Sequence, residues 1–496
     1  MTMPLPSPAQ TAQPNAPAAP APPAAPPAPA TSATPPARGL LPRLPRLPRR
    51  LRLRTVPARI RAWTALTVVA VLALFGVTWT AIDDATEGLR VIGRTDGPQV
   101  VATGDLYYAL SNMDTQVANI LLLGRNQIGG GREEALRRYE ESRNEAGRAL
   151  LQAADLADDA AERRTVRELL NGLSEYERLA AEAMLLSNRE YVLGDAPDSA
   201  VVRYRAATKL MRLSLLPKAY NLTLESGSNV RRTYEEQHSA VRNGRLAVVV
   251  LGVVTLGLLV GLQVYLAHRF RRILNPALLA ATVALTVLVG LAMGLLERAA
   301  EDMRVAKEKG FNSMLALSRA RAISNSMHGD QSRYLLDRQE ADTYAQVYLD
   351  KAQSVLYTPA GNLNTYYQGL SKAAREYPGK ADFLGFFGAE AKIADDKDVR
   401  DALAETIKRY DGFQQQDRQL RASGRVEHLM NDVAERFREY DDALVQLTRI
   451  HRRTFDAAIA DGYAAVNGWN YALPGTIAAV VALIFVGVRP RLVEYR

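Results

Sequence analysis

The side chains in this sequence that could do chemistry are arginines, a few carboxylates and five histidines, and their spacing suggests binding before catalysis. Arg125, Arg178, Arg319, Arg321 and Arg333 fall in long helical stretches, where a guanidinium fork can hold a carboxylate through two parallel hydrogen bonds. The ordinary alternative is a solvated helix face carrying i, i+4 ion pairs. Asp395, Asp396 and Asp398 resemble an acidic ion site, but the glycine and closing glutamate of an EF-hand loop are missing. They read better as a helix start, where carboxylates favour the positive end of the dipole. His238, His268, His328, His428 and His451 include no i, i+4 pair, so a zinc site is not expected. The absence of cysteine removes disulfides, thiolate metal sites and cysteine nucleophiles. GxSxG, P-loop and HExxH motifs are also missing. The expectation is therefore no catalytic residue, no cofactor and no metal.

The elements that would position these residues are set by hydropathy. Apolar residues make up 48% of the 496, concentrated in four blocks near the roughly 20 residues that cross a hydrocarbon core. The blocks are 63–82, 246–266, 277–296 and 471–488, and none contains Asp, Glu, Lys or Arg. A leader of 62 residues is too long for a secretory signal, so the first block reads as an uncleaved span.

The net charge of +9 is local: nine arginines lie between Arg38 and Arg61, and the first acidic residue is Asp83. Basic residues interleaved with aromatics, as a nucleic-acid surface would need, are not seen. Residues 1–37 are almost wholly Pro, Ala, Ser and Thr without an acidic or basic side chain, a composition too poor in apolar surface to fold. The tail 1–62 is thus expected to be disordered and then arginine-rich, attracted to anionic lipid by about 1 kcal/mol per basic residue.

Arg49, Arg50, Arg59 and Arg61 precede span one; Arg269, Arg271 and Arg272 stand between spans two and three; Arg489 and Arg491 follow span four. Short basic flanks belong in the cytoplasm. That places the tail 1–62, the loop 267–276 and the stub 489–496 inside, with both termini cytoplasmic, and the segments 83–245 and 297–470 outside. No kinase or cyclase fits in the cytoplasmic parts, so any inward signal must pass to a separate protein.

Both outer segments show helical periodicity: Val166, Leu169, Leu170, Leu173, Tyr176, Ala180, Ala183 and Met184 recur at spacings of three and four. The fold class expected is all-α, an integral membrane protein with four transmembrane helices and two extracytoplasmic helical bundles. Breaks are predicted at Gly129–Gly131, Gly194–Pro197, Thr358–Gly361 and Tyr377–Gly379. The order span, bundle, span occurs twice with a period of roughly 210 residues, which predicts a tandem duplication. The last helix of the first bundle should run unbroken into span two, from about Ala219 to Arg272. Pro474 and Gly475 should soften the joint before span four. Gly257 with Gly261, and Gly290 with Gly294, let helices approach closely in lipid; packing within the four spans is the default, with a homodimer as the alternative.

Particular residues resemble a known family, the actinobacterial four-span relay proteins encoded beside a glutamine-binding lipoprotein and Ser/Thr protein kinase G. They are Tyr204-Arg205-Ala206-Ala207, Leu210-Met211-Arg212 and Leu215-Leu216-Pro217 in the first segment. In the inner loop they are Arg271-Arg272-Ile273-Leu274-Asn275-Pro276. In the second segment they are Gly329-Asp330-Gln331-Ser332-Arg333-Tyr334-Leu335-Leu336-Asp337. The resemblance covers about residues 60–490. It implies a signal relay in which an amino-acid-binding lipoprotein, loaded with glutamate, aspartate or glutamine, docks outside and a cytoplasmic Ser/Thr kinase responds inside. Gly329, Asp330, Gln331, Ser332 and Arg333, polar and interrupting a helical face, are the expected docking or switching segment; an ordinary helix joint is the plainer reading. A direct small-molecule sensor and a structural envelope or division protein are the alternatives.

Overall fold

The computed structural model describes residues 56–124, 131–157, 160–188, 193–270 and 275–493, with side chains at 94–102 among those left undescribed. The first half forms α1 (Val56–Arg90), α2 (Gly97–Leu123), α3 (Gly131–Leu156), α4 (Ala160–Leu186), α5 (Asp198–Leu210) and α6 (Leu216–Phe270). The second half opens with α7 (Pro276–Val305), α8 (Asn312–Leu336), α9 (Ala341–Val355), α10 (Leu363–Glu376) and α11 (Gly385–Ile393). It closes with α12 (Lys397–Ser423), α13 (Val426–His428), α14 (Ala434–Val466) and α15 (Trp469–Val493). Among the described residues there is no strand; an isolated bridge joins Tyr357 to Leu384.

Among the described residues, four helical runs are long and apolar enough to cross a membrane, one each around α1, α6, α7 and α15. Their inward faces share a core that includes Val71, Leu74, Leu259, Leu262, Leu285 and Val480. Val250, Val253, Val283, Val287, Leu291 and Phe485 stay exposed, as lipid-facing side chains must. Polar groups in the spans are satisfied from within, since lipid offers no partner. Gln263 Nε2 donates to the Leu278 carbonyl at 3.0 Å and to Thr282 Oγ1 at 2.6 Å. Asn275 caps α7 by accepting from the Ala277 amide and donates its Nδ2 to the Gly487 carbonyl at 2.6 Å, which ties the start of span three to the end of span four. Of the paired glycines, Gly261 packs against the Trp63 ring, whereas a Cβ added at Gly257, Gly290 or Gly294 would meet no neighbour within 4 Å.

Beyond the spans the two large segments build one head. A continuous hydrophobic core runs from Leu106, Met113, Tyr176 and Tyr204 of the first to Tyr348, Phe387, Tyr410 and Leu447 of the second. Sharing a core requires both segments to lie on the same face of the membrane. The main seam is α2 against α8.

The helices break where turn chemistry predicted: α4 and α5 part around Gly194, whose φ is +81°, and α9 to α11 are separated at Pro359 and Pro378. Gly129 and Gly130 lie outside the described residues. The second half departs from a simple four-helix bundle, because the stretch between α8 and α12 is divided into α9, α10 and α11.

Among the described residues, each half carries two π-helical turns at matching places. Val91–Asp96 and Ala306–Phe311 each follow the first span of a half, and Met211–Leu215 and Leu429–Val433 each precede the closing helix. A π-turn inserts an extra residue into the helical repeat and is uncommon. Its recurrence at a spacing close to the expected period is architectural support for duplication.

Head and spans are joined by long helices. Helix α6 runs 55 residues without a break, and α7 passes through its π-turn directly into α8. The fourth joint differs from expectation. The helix stops at Asn467 and turns at Gly468, with φ +84°, while Pro474 sits inside α15. Pro474 is the sixth residue of α15, past the first turn, so it forgoes one amide bond to the Asn470 carbonyl; glycine makes the break and proline sits within the next helix.

Candidate functional site

The residues 329–333 do not interrupt a helix. They lie near the C-terminal end of α8, and all five are buried. Each faces a different partner. Gly329 is the point of closest approach: a Cβ there would overlap Thr115 Oγ1 on α2 and come within 3.0 Å of Arg333 Nη2. Only glycine lets α8 lie this close to α2.

Arg333 is the hub. It is fully buried, and its guanidinium reaches Asp114 Oδ2 at 2.6 Å, the Tyr204 hydroxyl at 3.1 Å and Asp330 Oδ1 one turn back. Asp114 in turn accepts from Thr208 Oγ1 at 2.6 Å and from the Tyr176 hydroxyl at 3.1 Å. Asp330 accepts from Lys351 Nζ on α9, and that ammonium also donates to Ser326 Oγ at 2.7 Å. Two carboxylates and two cations thus balance inside the head, as a dry site demands. At the rim, Arg205 holds Asp337 through two hydrogen bonds of 2.8 and 2.7 Å. Ser332 Oγ donates to Asn119 Oδ1 at 2.7 Å. Elements α2, α4, α5, α8 and α9 all meet here.

Gln331 turns the other way. It takes part in a second buried network within the later half, donating to Asp417 Oδ1 at 2.9 Å while its Oε1 stands 2.8 Å from His328 Nδ1. Tyr367 donates to Asp417, and Arg421 Nε reaches it at 2.8 Å.

Burial and charge compete across the site. Burial raises the Asp330 carboxyl, but Lys351 and Arg333 outweigh it and hold the group below its ordinary value. Burial depresses the Arg333 guanidinium, yet Tyr204, Asp114 and Asp330 carry it well above the usual arginine range. For Lys351 burial wins and the ammonium is pulled down to about 8. His328, stacked on Phe437 with ring centroids 4.5 Å apart, is pushed down to about 4 by burial and is neutral near pH 7.

The remaining candidates are placed as follows. Arg178 is exposed and paired to Glu175 and Glu182 on its own helix. Arg321 makes a bidentate pair with Asp441 at 2.7 and 2.8 Å, its guanidinium 4.2 Å from the Tyr108 ring centre. Asp396 caps α12, accepting from the Asp398 amide, so that acidic run is a helix start. No group of three His, Asp or Glu among the described residues could hold a metal. Arg59, Arg61 and Arg489 flank the spans on exposed helix faces. Arg49, Arg50, Arg271 and Arg272 lie outside the described residues, as do the side chains of Arg269 and Arg491.

Sequence reasoning missed Asp114, although a signal was present: it is the sole ionisable carboxylate or cation between Asp105 and Arg125 in a stretch rich in apolar residues. Lys351 and Thr208 carried no such signal. What the arrangement can do is mechanical. It latches the first half to the second through charge-assisted bonds.

Residues 88–235 match the family model of an actinobacterial sensor domain. The match runs from the end of α1 into α6 and includes Asp114, Tyr176, Tyr204, Arg205 and Thr208. No curated protein and no solved structure matches the chain. In its first head segment, then, this multi-pass helical protein is similar to an actinobacterial sensor, which points to a sensing role.

Proposed function

We propose that the protein is a non-enzymatic transmembrane relay for amino-acid status. In this reading the head lies outside the cytoplasm and receives an amino-acid-binding lipoprotein loaded with glutamate, aspartate or glutamine. A cytoplasmic Ser/Thr kinase takes up the signal inside, and the arginine tail rests on anionic lipid.

One observation carries the reading: the head stretches among those on which the family resemblance rests meet each other, through Tyr204 to Arg333 and Arg205 to Asp337. Both contacts stand at the tops of long helices that continue into the membrane. Just past Arg205, α5 passes through the Met211–Leu215 turn into α6 and span two, while α8 is continuous with span three. At 1.5 Å per residue, α6 alone is about 80 Å long. A packed helix has discrete seats, so a small change at the latch can appear as a shift at the far end. Residues 329–333 would therefore act as a switching element inside the head, with docking on surfaces around it.

The test uses full-length protein in nanodiscs and a purified amino-acid-binding lipoprotein with and without glutamate. Capture that depends on glutamate is expected. Equal absence of capture in both states would contradict the lipoprotein part of the reading.

A further inference from the structure

A polar cleft of about 370 Å³ opens between α2, α3 and α8, apart from the Arg333 latch. That volume falls within the ~300–1,000 Å³ typical of small-molecule sites. Its charged and polar lining comes from Asp105 and Tyr108 on α2, Glu145, Arg148 and Gln152 on α3, and Arg321 on α8. Both halves of the chain therefore build it.

The charges in the cleft do not cancel. Arg321 commits Nε and Nη2 to Asp441 and lies over the Tyr108 ring, so its charge is already matched. Burial pushes the Tyr108 phenol up to about 12, which keeps it uncharged near pH 7. Asp105, Glu145 and Arg148 remain, and among the described residues none of the three forms an ion pair. Glu145 and Arg148 stand three residues apart on one helix face, yet both reach into the cleft unpaired. Asp105 is open to the cleft but crowded: burial raises its carboxyl, Arg321 opposes, and Glu145 adds to the rise. Two carboxylates facing one space each disfavour the other's ionised form. An ammonium between them removes that repulsion, and the Arg148 guanidinium is free to hold a carboxylate.

We propose that this cleft is a direct site for a free α-amino acid, whose ammonium sits between Asp105 and Glu145 and whose carboxylate meets Arg148 and Gln152. The two lining carboxylates outnumber the single uncommitted guanidinium, so a neutral or basic side chain is favoured over an acidic one. The proposal rests on the sensing reading but needs no lipoprotein. Arg321 lies about 18 Å along α8 from the latch at 1.5 Å per residue. The occupant would bridge α2 and α3 to α8 and, through the Arg321 pair with Asp441, to α14.

The experiment titrates glutamine, lysine and glutamate into full-length protein in nanodiscs by calorimetry, with methylammonium chloride and sodium acetate as single-group probes. Saturable binding of glutamine and lysine is expected, with glutamate, methylammonium and acetate each at least tenfold weaker than glutamine. Asp105→Asn, which keeps the shape and removes the charge, should weaken glutamine at least tenfold. Arg148→Gln should weaken glutamine equally and leave methylammonium unchanged, a split that a merely structural arginine does not give. The site is overturned if neither glutamine nor lysine binds, or if glutamate, methylammonium or acetate binds as tightly as glutamine. Glutamine affinity unchanged in either variant overturns it too. If amino acids fail while a loaded lipoprotein is still captured, the cleft is refuted and the relay stands. If glutamine binds directly and no lipoprotein is captured, the cleft holds and the lipoprotein step falls.

Discussion

Arg333 and Asp114, one from each half of the chain, meet at 2.6 Å with neither side chain exposed to solvent. Buried pairs of this kind stabilise little compared with an apolar pair of the same volume, but breaking one leaves a stranded charge. Replacing Arg333 by Met should therefore destabilise the head by about 3–5 kcal/mol. Adding Asp114→Asn to that variant should recover part of the loss, because the orphaned carboxylate is gone. Denaturant melts of the four-member cycle in detergent would show the coupling; additive losses would mean that the two side chains do not act as a pair.

Gly329 predicts a steric effect that can be reversed. Gly329→Ala places a methyl on Thr115 Oγ1 and beside the Arg333 guanidinium, and overpacking of this kind costs about 1–3 kcal/mol. Thr115→Ala removes the opposing oxygen, so the double variant should regain stability relative to Gly329→Ala alone. If Thr115→Ala gives no rescue, the close approach of α2 and α8 is not what the glycine serves.

A third expectation concerns pH. His451 on α14 lies between two acceptors, with Nε2 2.6 Å from Glu390 Oε1 and Nδ1 2.7 Å from the Lys309 carbonyl in the π-turn after span three. Burial lowers its pKa, but the Glu390 carboxylate and that carbonyl together leave it raised. The folded protein thus holds this proton at pH values where the unfolded chain has released it. The resulting stabilisation is complete below about pH 6.5, the unfolded value, and is lost as pH rises through the folded pKa. His328, pushed down to about 4, has the opposite sign and costs stability as pH falls from about 6.5 toward 4. His451→Gln should flatten the alkaline side of the melting profile and leave the acidic side unchanged. An unaltered alkaline slope would remove His451 from the junction.

Much of this architecture was legible in the sequence because it is local. The spans show as charge-free apolar blocks, the joints at Gly194, Pro359 and Pro378 show as turn chemistry, and α6 shows as periodicity without a breaker. The fusion of the two segments into one core was not legible, since it depends on which apolar faces meet across more than 200 positions. The same limit applies to the site. Residues 329–333 stand out as polar in a helical stretch, but polarity alone does not separate an exposed docking face from a buried network. Asp114 supplies the missing half, and only its position opposite Arg333 gives it meaning. The joint before span four lies elsewhere than expected for a physical reason: the left-handed Gly468 makes the turn, and α15 continues through Pro474 with one amide bond forgone.

The most direct measurement is sidedness, and the lack of native cysteine makes it clean. Single cysteines are introduced at exposed sites in each head segment (Leu185→Cys and Lys397→Cys) and at the start of the inner loop (His268→Cys), then treated with a membrane-impermeant maleimide in intact cells. Leu185→Cys and Lys397→Cys should both label at once, and His268→Cys only after permeabilisation. Labelling of His268→Cys in intact cells, with either head position protected, would invert the topology and contradict a head that senses outside and signals within.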